Sequence, residues 1–314
     1  MNILFLARYF YPHIGGVEKH VLRVGEELVK KGHQVTVLTQ KHSRKLADSV
    51  NLGGIKVIRI PFCQSKWGIW KNLWPLRRLF RQADIIHCHD IFFWYLPFRF
   101  LYPTKPVFTT FHGWEGKFPL PQKNIWLRKI WEKLSWGNIC VGDYLCKWYG
   151  TKTDFITYGG VDLPDFQFSK SNFPEYIFIG RLEEDLGLSE YLQVFKKLPV
   201  VFIGAGSLKS KCAKVGRTLG KVKDLSVILK QRPYVFAASY LTIWEALAYG
   251  CPVFSLYQNP LKKDYLEKFP AAANIHVSGS AGELISQLNQ PRPLCRRFPS
   301  WQDAVKLYQQ LWQQ

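Results

Sequence analysis

The chain predicts an α/β protein of two Rossmann-like units whose strands end at a common cleft. Three observations carry that expectation. Short apolar runs alternate with stretches of helical periodicity along most of the 314 residues, the pattern of a doubly wound parallel sheet. The alternation halts after Val161-Asp162-Leu163-Pro164, passes through a Ser/Asn/Pro/Phe-containing stretch to Pro174 and restarts at Tyr176. The segment Ser239–Val253 reads as a turn, a short helix and the start of a strand, an α/β step suited to a nucleotide.

The first half opens with the apolar run Asn2–Ala7, then a loop ending in Gly15-Gly16. Val17, Val21, Val24 and Leu28 follow at helical spacing, closed by Gly32. Strands are expected at Gln34–Thr39, Ile55–Ile60, Ile85–Cys88, Val107–Thr110, Asn138–Val141 and Phe155–Thr157. Ile91–Pro103 is the nearest approach to a spanning segment, but Pro97 and Arg99 break it, and such a helix needs ~20 apolar residues. It reads as a buried helix or a surface-seeking one. The second half predicts a strand at 176–182, a helix at 188–197, a strand at 200–203, the Gly204-Ala205-Gly206 turn and helices at 207–218 and 224–231. A strand at 234–237, a helix at 241–249 and a strand at 252–256 complete it. Trp301–Trp312 forms an amphipathic helix with Trp301, Ala304, Val305, Tyr308 and Leu311 on one face. The expected division is therefore residues 1–163, residues 164–298, and a C-terminal helix, 299–314, packing back on the first domain.

An apolar fraction of 47% excludes a disordered chain, and a formal charge of +20 calls for an anionic partner. The positive excess lies mainly in the first half. Seven scattered cysteines without a Cys-x-x-Cys pair suggest neither a disulfide framework nor zinc, and fit a reducing cytoplasm. NILFLARYFYP reads as a first strand rather than a signal peptide. His87 and His89 flank Cys88 beside Asp90, but no third ligand stands at a recognised spacing, so no metal is expected.

Glu245 is the one acid of the Ser239–Val253 segment. Tyr240, Leu241 and Thr242 fall at the helix start, where unpaired N–H groups and the helix dipole favour a phosphate. Glu245, one turn further in, is placed to accept from a ribose diol. A core helix with one solvated acid is the alternative. Trp67, Trp70 and Trp74 interleave with Lys66, Lys71, Arg77, Arg78 and Arg81, and a second such segment runs from Lys123 to Trp136. Two readings stay open for them: docking on an anionic bilayer surface or packing against the core. No nucleic-acid motif accompanies the charge.

Several stretches together resemble the GT-B glycosyltransferases of glycosyltransferase family 4: YPHIGGVEKH (11–20), ADIIHCHD (83–90), TTFHG (109–113), TYGGVD (157–162), IGRLEEDLG (179–187), FIGAG (202–206) and IWEALAYGCPV (243–253), in that order. The resemblance implies a metal-independent, retaining transfer of a sugar from a UDP- or GDP-linked donor, with no further cofactor. The acceptor it implies is a lipid-linked or envelope glycan at the cytoplasmic face of a membrane. It assigns Glu245 to the ribose, Arg181 to the diphosphate, the Gly15-Gly16 turn to close backbone approach, and His112 to the donor sugar. Leu186 stands where the family has a lysine, and Ala237 where it has its first motif glutamate. A non-catalytic sugar-nucleotide or glycan-binding protein, and less readily a sugar-nucleotide epimerase, are the alternatives.

Overall fold

The computed structural model describes residues 1–114, 116–164 and 176–313. The expected linker falls on 165–175, outside the described residues. The chain divides into two units: the described residues of Met1–Trp114, Leu120–Thr157 and Trp301–Gln314 form one, and those of Glu115–Pro119 and Tyr158–Ser300 the other.

The first unit is built on β1 (Asn2–Ala7), β2 (Gln34–Gln40), β3 (Ser49–Leu52), β4 (Ile55–Ile60), β5 (Ile85–His89), β6 (Val107–Phe111), β7 (Gly137–Val141) and β8 (Phe155–Thr157). Their order is β3-β4-β2-β1-β5-β6-β7-β8, parallel throughout except where β3 turns back on β4. The central strands β5 and β6 are buried at every position, as expected of parallel strands covered on both faces, and they bury His87, His89, Thr109 and Thr110 among their apolar residues. Between them run α1 (Gly16–Lys30), α2 (Lys66–Leu73), α3 (Arg77–Gln82), α4 (Phe92–Leu101), α5 (Gln122–Leu134) and α6 (Tyr144–Tyr149). The ambiguous segment is thus the helix α4. Phe92, Trp94, Tyr95 and Phe98 enter the core, as the buried-helix reading expects, while Phe100 and Leu101 stay exposed.

The second unit carries β9 (Tyr176–Ile179), β10 (Val200–Ile203), β11 (Arg217–Gly220), β12 (Tyr234–Ala237), β13 (Val253–Leu256) and β14 (His276–Ser278), in the order β11-β10-β9-β12-β13-β14, all parallel. Its helices are α7 (Leu188–Phe195), α8 (Lys209–Cys212), α9 (Ser226–Leu229), α10 (Tyr240–Ala248), α11 (Pro260–Glu267) and α12 (Ala281–Ser286). Phe178, Tyr191, Phe195, Phe202, Phe236 and Phe254 form the heart of its core. The last helix, α13 (Trp301–Trp312), belongs to the first unit and buries Trp301, Ala304, Val305, Tyr308 and Leu311.

One expected helix is corrected. Residues 207–218 do not form a single helix: α8 is one turn long, and Arg217–Gly220 is the edge strand β11, with Val201 opposite Arg217. The cause is a close approach, since a Cβ on Gly216 would lie 2.3 Å from the Val200 carbonyl oxygen. The chain is drawn against β10 there and continues as its neighbour. The helix expected at 224–231 is likewise only α9.

Each sheet has a switch point. In the first, β1 has β2 on one side and β5 on the other; in the second, β9 lies between β10 and β12. Ligands of open α/β sheets bind beyond the carboxyl ends of strands at such points. The residues to inspect are those following β1, β5 and β6 in one unit, and β9, β12 and β13 in the other.

Candidate functional site

Gly180–Gly187 follows β9 and carries Arg181. Its backbone is laced to the turn after β10: Gly180 N–H donates to Ile203 O (3.1 Å), Leu182 N–H to Ala205 O (2.9 Å), and Leu208 N–H to Leu182 O (2.9 Å). A Cβ on Gly204 would stand 1.8 Å from Gly180 O, so this glycine permits two loops to touch. The Glu183 carboxylate accepts from the Ser207 amide and hydroxyl, which holds it below its ordinary pKa. Arg181 emerges from this fixed base, largely exposed, with Nη2 on Asp185 Oδ2 at 2.7 Å. Asp185 takes one corner of the guanidinium and so orients the remaining N–H donors.

Ala237 lies opposite Ile179 in the sheet, so the turn into α10 rises beside the arginine loop. Ser239 caps α10 in extended conformation, with its hydroxyl 3.0 Å from that of Thr242. Leu241 and Thr242 sit in the first turn, where a helix has no internal acceptor for its N–H groups. Tyr240 does not join them. Its ring is stacked 3.8 Å from that of Tyr265, and its amide donates to Tyr265 Oη at 2.8 Å. Of the three residues expected at a phosphate, Tyr240 has its N–H already engaged. Glu245 is half-buried, between a buried Trp244 and a buried Ala246.

Both departures from the family pattern are apolar positions, one in the core and one against it. Ala237 is fully buried, and its carbonyl accepts from Tyr191 Oη (3.1 Å) and Ser255 Oγ (2.7 Å). Leu186 packs against the aromatic core.

In the first unit, Gly15 caps α1 in extended conformation. A Cβ on Gly16 would meet nothing within 4 Å, so the helix start is open. His112 follows β6, its amide donating to Asp90 Oδ1 at 2.8 Å. Asp90 is held at φ 62, a region uncommon outside glycine though tolerated by Asp. The His112 imidazole meets His89 (Nε2 to Nδ1, 2.8 Å) and the edge of His20, ring centres 4.8 Å apart. His20 stands one turn inside α1 from Gly16. The structure therefore brings the Gly15-Gly16 turn and His112 to one place, and the Arg181 loop and the first turn of α10, with Leu241 and Thr242, to another; Glu245 lies one turn further along that helix.

Behind His112 runs a buried chain whose protons can be assigned. Trp312 Nε1, a donor only, points to His87 Nδ1 (3.1 Å), so His87 carries its proton on Nε2 and donates to Thr110 Oγ1 (2.7 Å). Thr110 is 2.8 Å from Tyr308 Oη, which is 3.0 Å from His20 Nε2. The consistent direction is Thr110 to Tyr308 to His20, because the reverse strands a hydroxyl proton in a fully buried site. Burial holds His87, His89 and His112 well below the usual histidine range and His20 at about 4. Among the described residues no three His, Cys, Asp or Glu side chains are grouped to hold a metal. Sequence reasoning missed His20, Tyr308 and Asp185. His20 shares the stripe of Val17, Val21 and Val24, and Tyr308 the apolar face of α13, signals that mark burial but name no partner.

Residues 14–162 match the Glycosyltransferase Family 4 profile. The phosphatidylinositol N-acetylglucosaminyltransferase GPI3 subunit of Saccharomyces cerevisiae (strain YJM789) is 30% identical over 95 residues, 28% of this chain and 21% of that protein. The match thus spans about a fifth of that relative's length. A phosphatidyl-myo-inositol mannosyltransferase of Mycolicibacterium smegmatis is 26% identical over 324 residues, 91% of this chain and 81% of that one. Sucrose-phosphate synthase from Thermosynechococcus elongatus superimposes with a TM-score of 0.76 at 15% identity, covering 99% of this chain and 98% of that one. Residues 14–162 thus carry a family 4 domain, and the two parallel-sheet units have the GT-B fold.

Proposed function

We propose that this chain is a retaining, metal-independent glycosyltransferase. It moves a sugar from a UDP- or GDP-linked donor to a lipid-linked or envelope glycan acceptor at an anionic, cytoplasmic membrane face. The observation that carries the reading is the convergence of Arg181, oriented by Asp185 at 2.7 Å, and the first turn of α10 at the switch point of the second sheet. A guanidinium fork and helix N–H groups are what a leaving diphosphate needs, since both meet more negative charge as the bond breaks. Glu245 takes the ribose hydroxyls. The acceptor proton passes to a leaving phosphate oxygen, so the reaction calls on no carboxylate base. On the first unit, taken by itself, the open helix start at Gly16 and the imidazole of His112 are the features that suit a polar ligand.

The acceptor class is supported by the names of two relatives, both of which act on phosphatidylinositols. It is supported also by the surface of the first unit. Trp67, Trp74, Trp126 and Trp136 are exposed there among lysines and arginines, which suits a headgroup layer. Trp70 and Trp131 pack against the core instead.

A second reading, a sugar-nucleotide binder without turnover, is favoured by Leu186 and Ala237, which replace a cation and a carboxylate with apolar side chains. One assay separates the two. Incubation with UDP- and GDP-linked sugars and vesicles containing phosphatidylinositol is expected to release nucleoside diphosphate together with a glycosylated lipid. Binding of a nucleotide with no product from any donor favours the second reading.

A further inference from the structure

Lys262 lies in the first turn of α11, behind Asn259, whose side-chain oxygen accepts from the Lys262 amide at 2.9 Å. Its amine does not reach solvent, since the residue is 2% exposed. Nζ donates to Ala238 O at 2.5 Å and stands 3.7 Å from the centre of the Tyr265 ring. Neither contact is an anion. The nearby charged groups are Asp185 and Arg181, on the loop after β9, and they act on the amine in opposite senses. Tyr265, from its own helix, is held neutral by burial. Asp185 Oδ2 is committed to Arg181, and Asp185 Oδ1 is buried without a hydrogen-bond partner, as is Gln258 Nε2 in the loop before α11.

A lysine amine held by one carbonyl and an aromatic face is costly to bury. Its position suggests what that cost serves. Ala238 follows β12 and Arg181 follows β9, and these strands are neighbours at the switch point. Lys209 and Lys211, the other cations considered for this place, are exposed on α8. Leu186 is partly buried and packs against the core.

We propose that Lys262 supplies the second cation of the diphosphate site, in place of the lysine that Leu186 replaces. This rests on reading the second unit as the donor unit. Burial lowers the Lys262 pKa to about 7, so near pH 7 the ligand-free amine is roughly half neutral. An arriving diphosphate favours the ammonium form, so the amine takes a proton from solvent as the nucleotide binds. Uptake at this group grows from pH 6 to pH 8.

Calorimetric titration of the full chain with UDP and with GDP, in two buffers of different ionisation enthalpy at pH 6, 7 and 8, tests this. The nucleotide's own phosphate titration is common to wild type and variant and cancels in their difference. Lys262→Met is expected to weaken binding of whichever nucleotide the wild type prefers by roughly ten- to a hundredfold, the scale of losing one opposite charge close to a diphosphate in a partly buried site. It should also remove roughly half a proton of uptake at pH 7. Lys262→Gln keeps a donor for the Ala238 carbonyl and should lose the same proton. Unchanged affinity and unchanged proton count in either folded variant overturn the inference and leave the donor reading intact. A wild type that binds neither UDP nor GDP defeats both. Without any variant, lysine labelled at Cε should show one resonance titrating near 7 whose midpoint rises on adding the bound nucleotide. The absence of such a resonance overturns the inference too.

Discussion

The two sheets end in opposite kinds of polar chemistry. Beyond the first, four imidazoles, two hydroxyls and an indole are joined in neutral hydrogen bonds, with His87, His89 and Thr110 almost wholly buried. Beyond the second stand an exposed arginine–aspartate pair, a buried lysine and a helix start. The difference teaches which ligand groups each edge suits. Cations and a helix start, as stand together at the second edge, suit a diphosphate. Neutral donors and acceptors fixed in one tautomer, as at the first edge, suit hydroxyl groups.

The sharpest way to break the comparison is to neutralise the charged edge. Arg181→Ala is expected to lower kcat roughly a hundred- to a thousandfold, the measured range for removing one donor at a developing charge. Nucleotide affinity should fall less, because the leaving diphosphate gathers charge only in the transition state. Arg181→Lys should rescue poorly, since Asp185 positions a fork and not a point charge. Steady-state kinetics beside direct nucleotide titration check the split. A loss confined to affinity would move Arg181 out of the catalytic role.

The neutral edge breaks with acid. His20 has a folded pKa of about 4 against an ordinary 6.5, and His87, His89 and His112 are shifted the same way. The unfolded chain therefore binds more protons than the folded one below pH 6.5. Stability is complete above that pH and is lost as pH falls toward 4, by about 3 kcal/mol from His20 alone. Tyr308→Phe should cost about 1–3 kcal/mol at neutral pH by leaving Thr110 and His20 without their shared partner. Denaturant melts at pH 7 and pH 5 measure both. A wild-type first unit equally stable at the two pH values would contradict the buried neutral histidines.

These two edges were unequally legible in the sequence. The sheets were visible because each central parallel strand opens on apolar residues, as in Ile85–His89 and Val107–Phe111, although their later positions bury histidines and threonines. The arginine loop was visible as a motif, and so was the α10 segment. The tautomer chain was not: His20 and Tyr308 are 288 residues apart, and each reads locally as one more residue on a buried stripe. Lys262 was hidden for a related reason. In PLKKDYLE it stands between Leu261 and Lys263, and sequence alone does not say that its amine turns inward while Lys263 pairs with Glu267 at 3.7 Å. Strand β11 was missed because its Lys- and Arg-rich surroundings mimic a solvated helix, whereas an edge strand needs little apolar surface.

Glu245 sharpens the comparison within the second unit. Glu245→Ala should weaken binding of the preferred nucleoside diphosphate by roughly tenfold or more, the worth of hydrogen bonds to a charged acceptor. Binding of inorganic pyrophosphate, which has no ribose, should be unchanged. Titration with both ligands checks this. An equal loss for both would assign Glu245 to support of the helix start instead of to the ribose.

The smallest expected effect concerns the outer surfaces, where the units also differ. Among the described residues, the tryptophans exposed to solvent, Trp67, Trp74, Trp126 and Trp136, all lie on the first unit. Trp67 is 79% exposed and touches the edge of Trp70, ring centres 5.2 Å apart. Trp70 is anchored inside by its indole N–H on Phe93 O at 2.7 Å. If the first unit meets a bilayer, Trp67 is the ring that inserts and Trp70 the one that holds it. Trp67→Ala should leave stability within about 0.5 kcal/mol, as for most surface changes, yet lower partitioning onto phosphatidylinositol-containing vesicles several-fold. Trp70→Ala should do the reverse first, lowering the melting temperature. Partitioning of the wild type should weaken as salt rises, because the Debye length shrinks from about 10 Å at 0.1 M to about 3 Å at 1 M. Sedimentation with phosphatidylinositol and with phosphatidylcholine vesicles reads the partitioning and its salt dependence, and thermal melts read the stability. Equal sedimentation of wild type and Trp67→Ala would return the exposed tryptophans to the role of an ordinary surface. The positive charge of the first unit would then serve a soluble acidic acceptor.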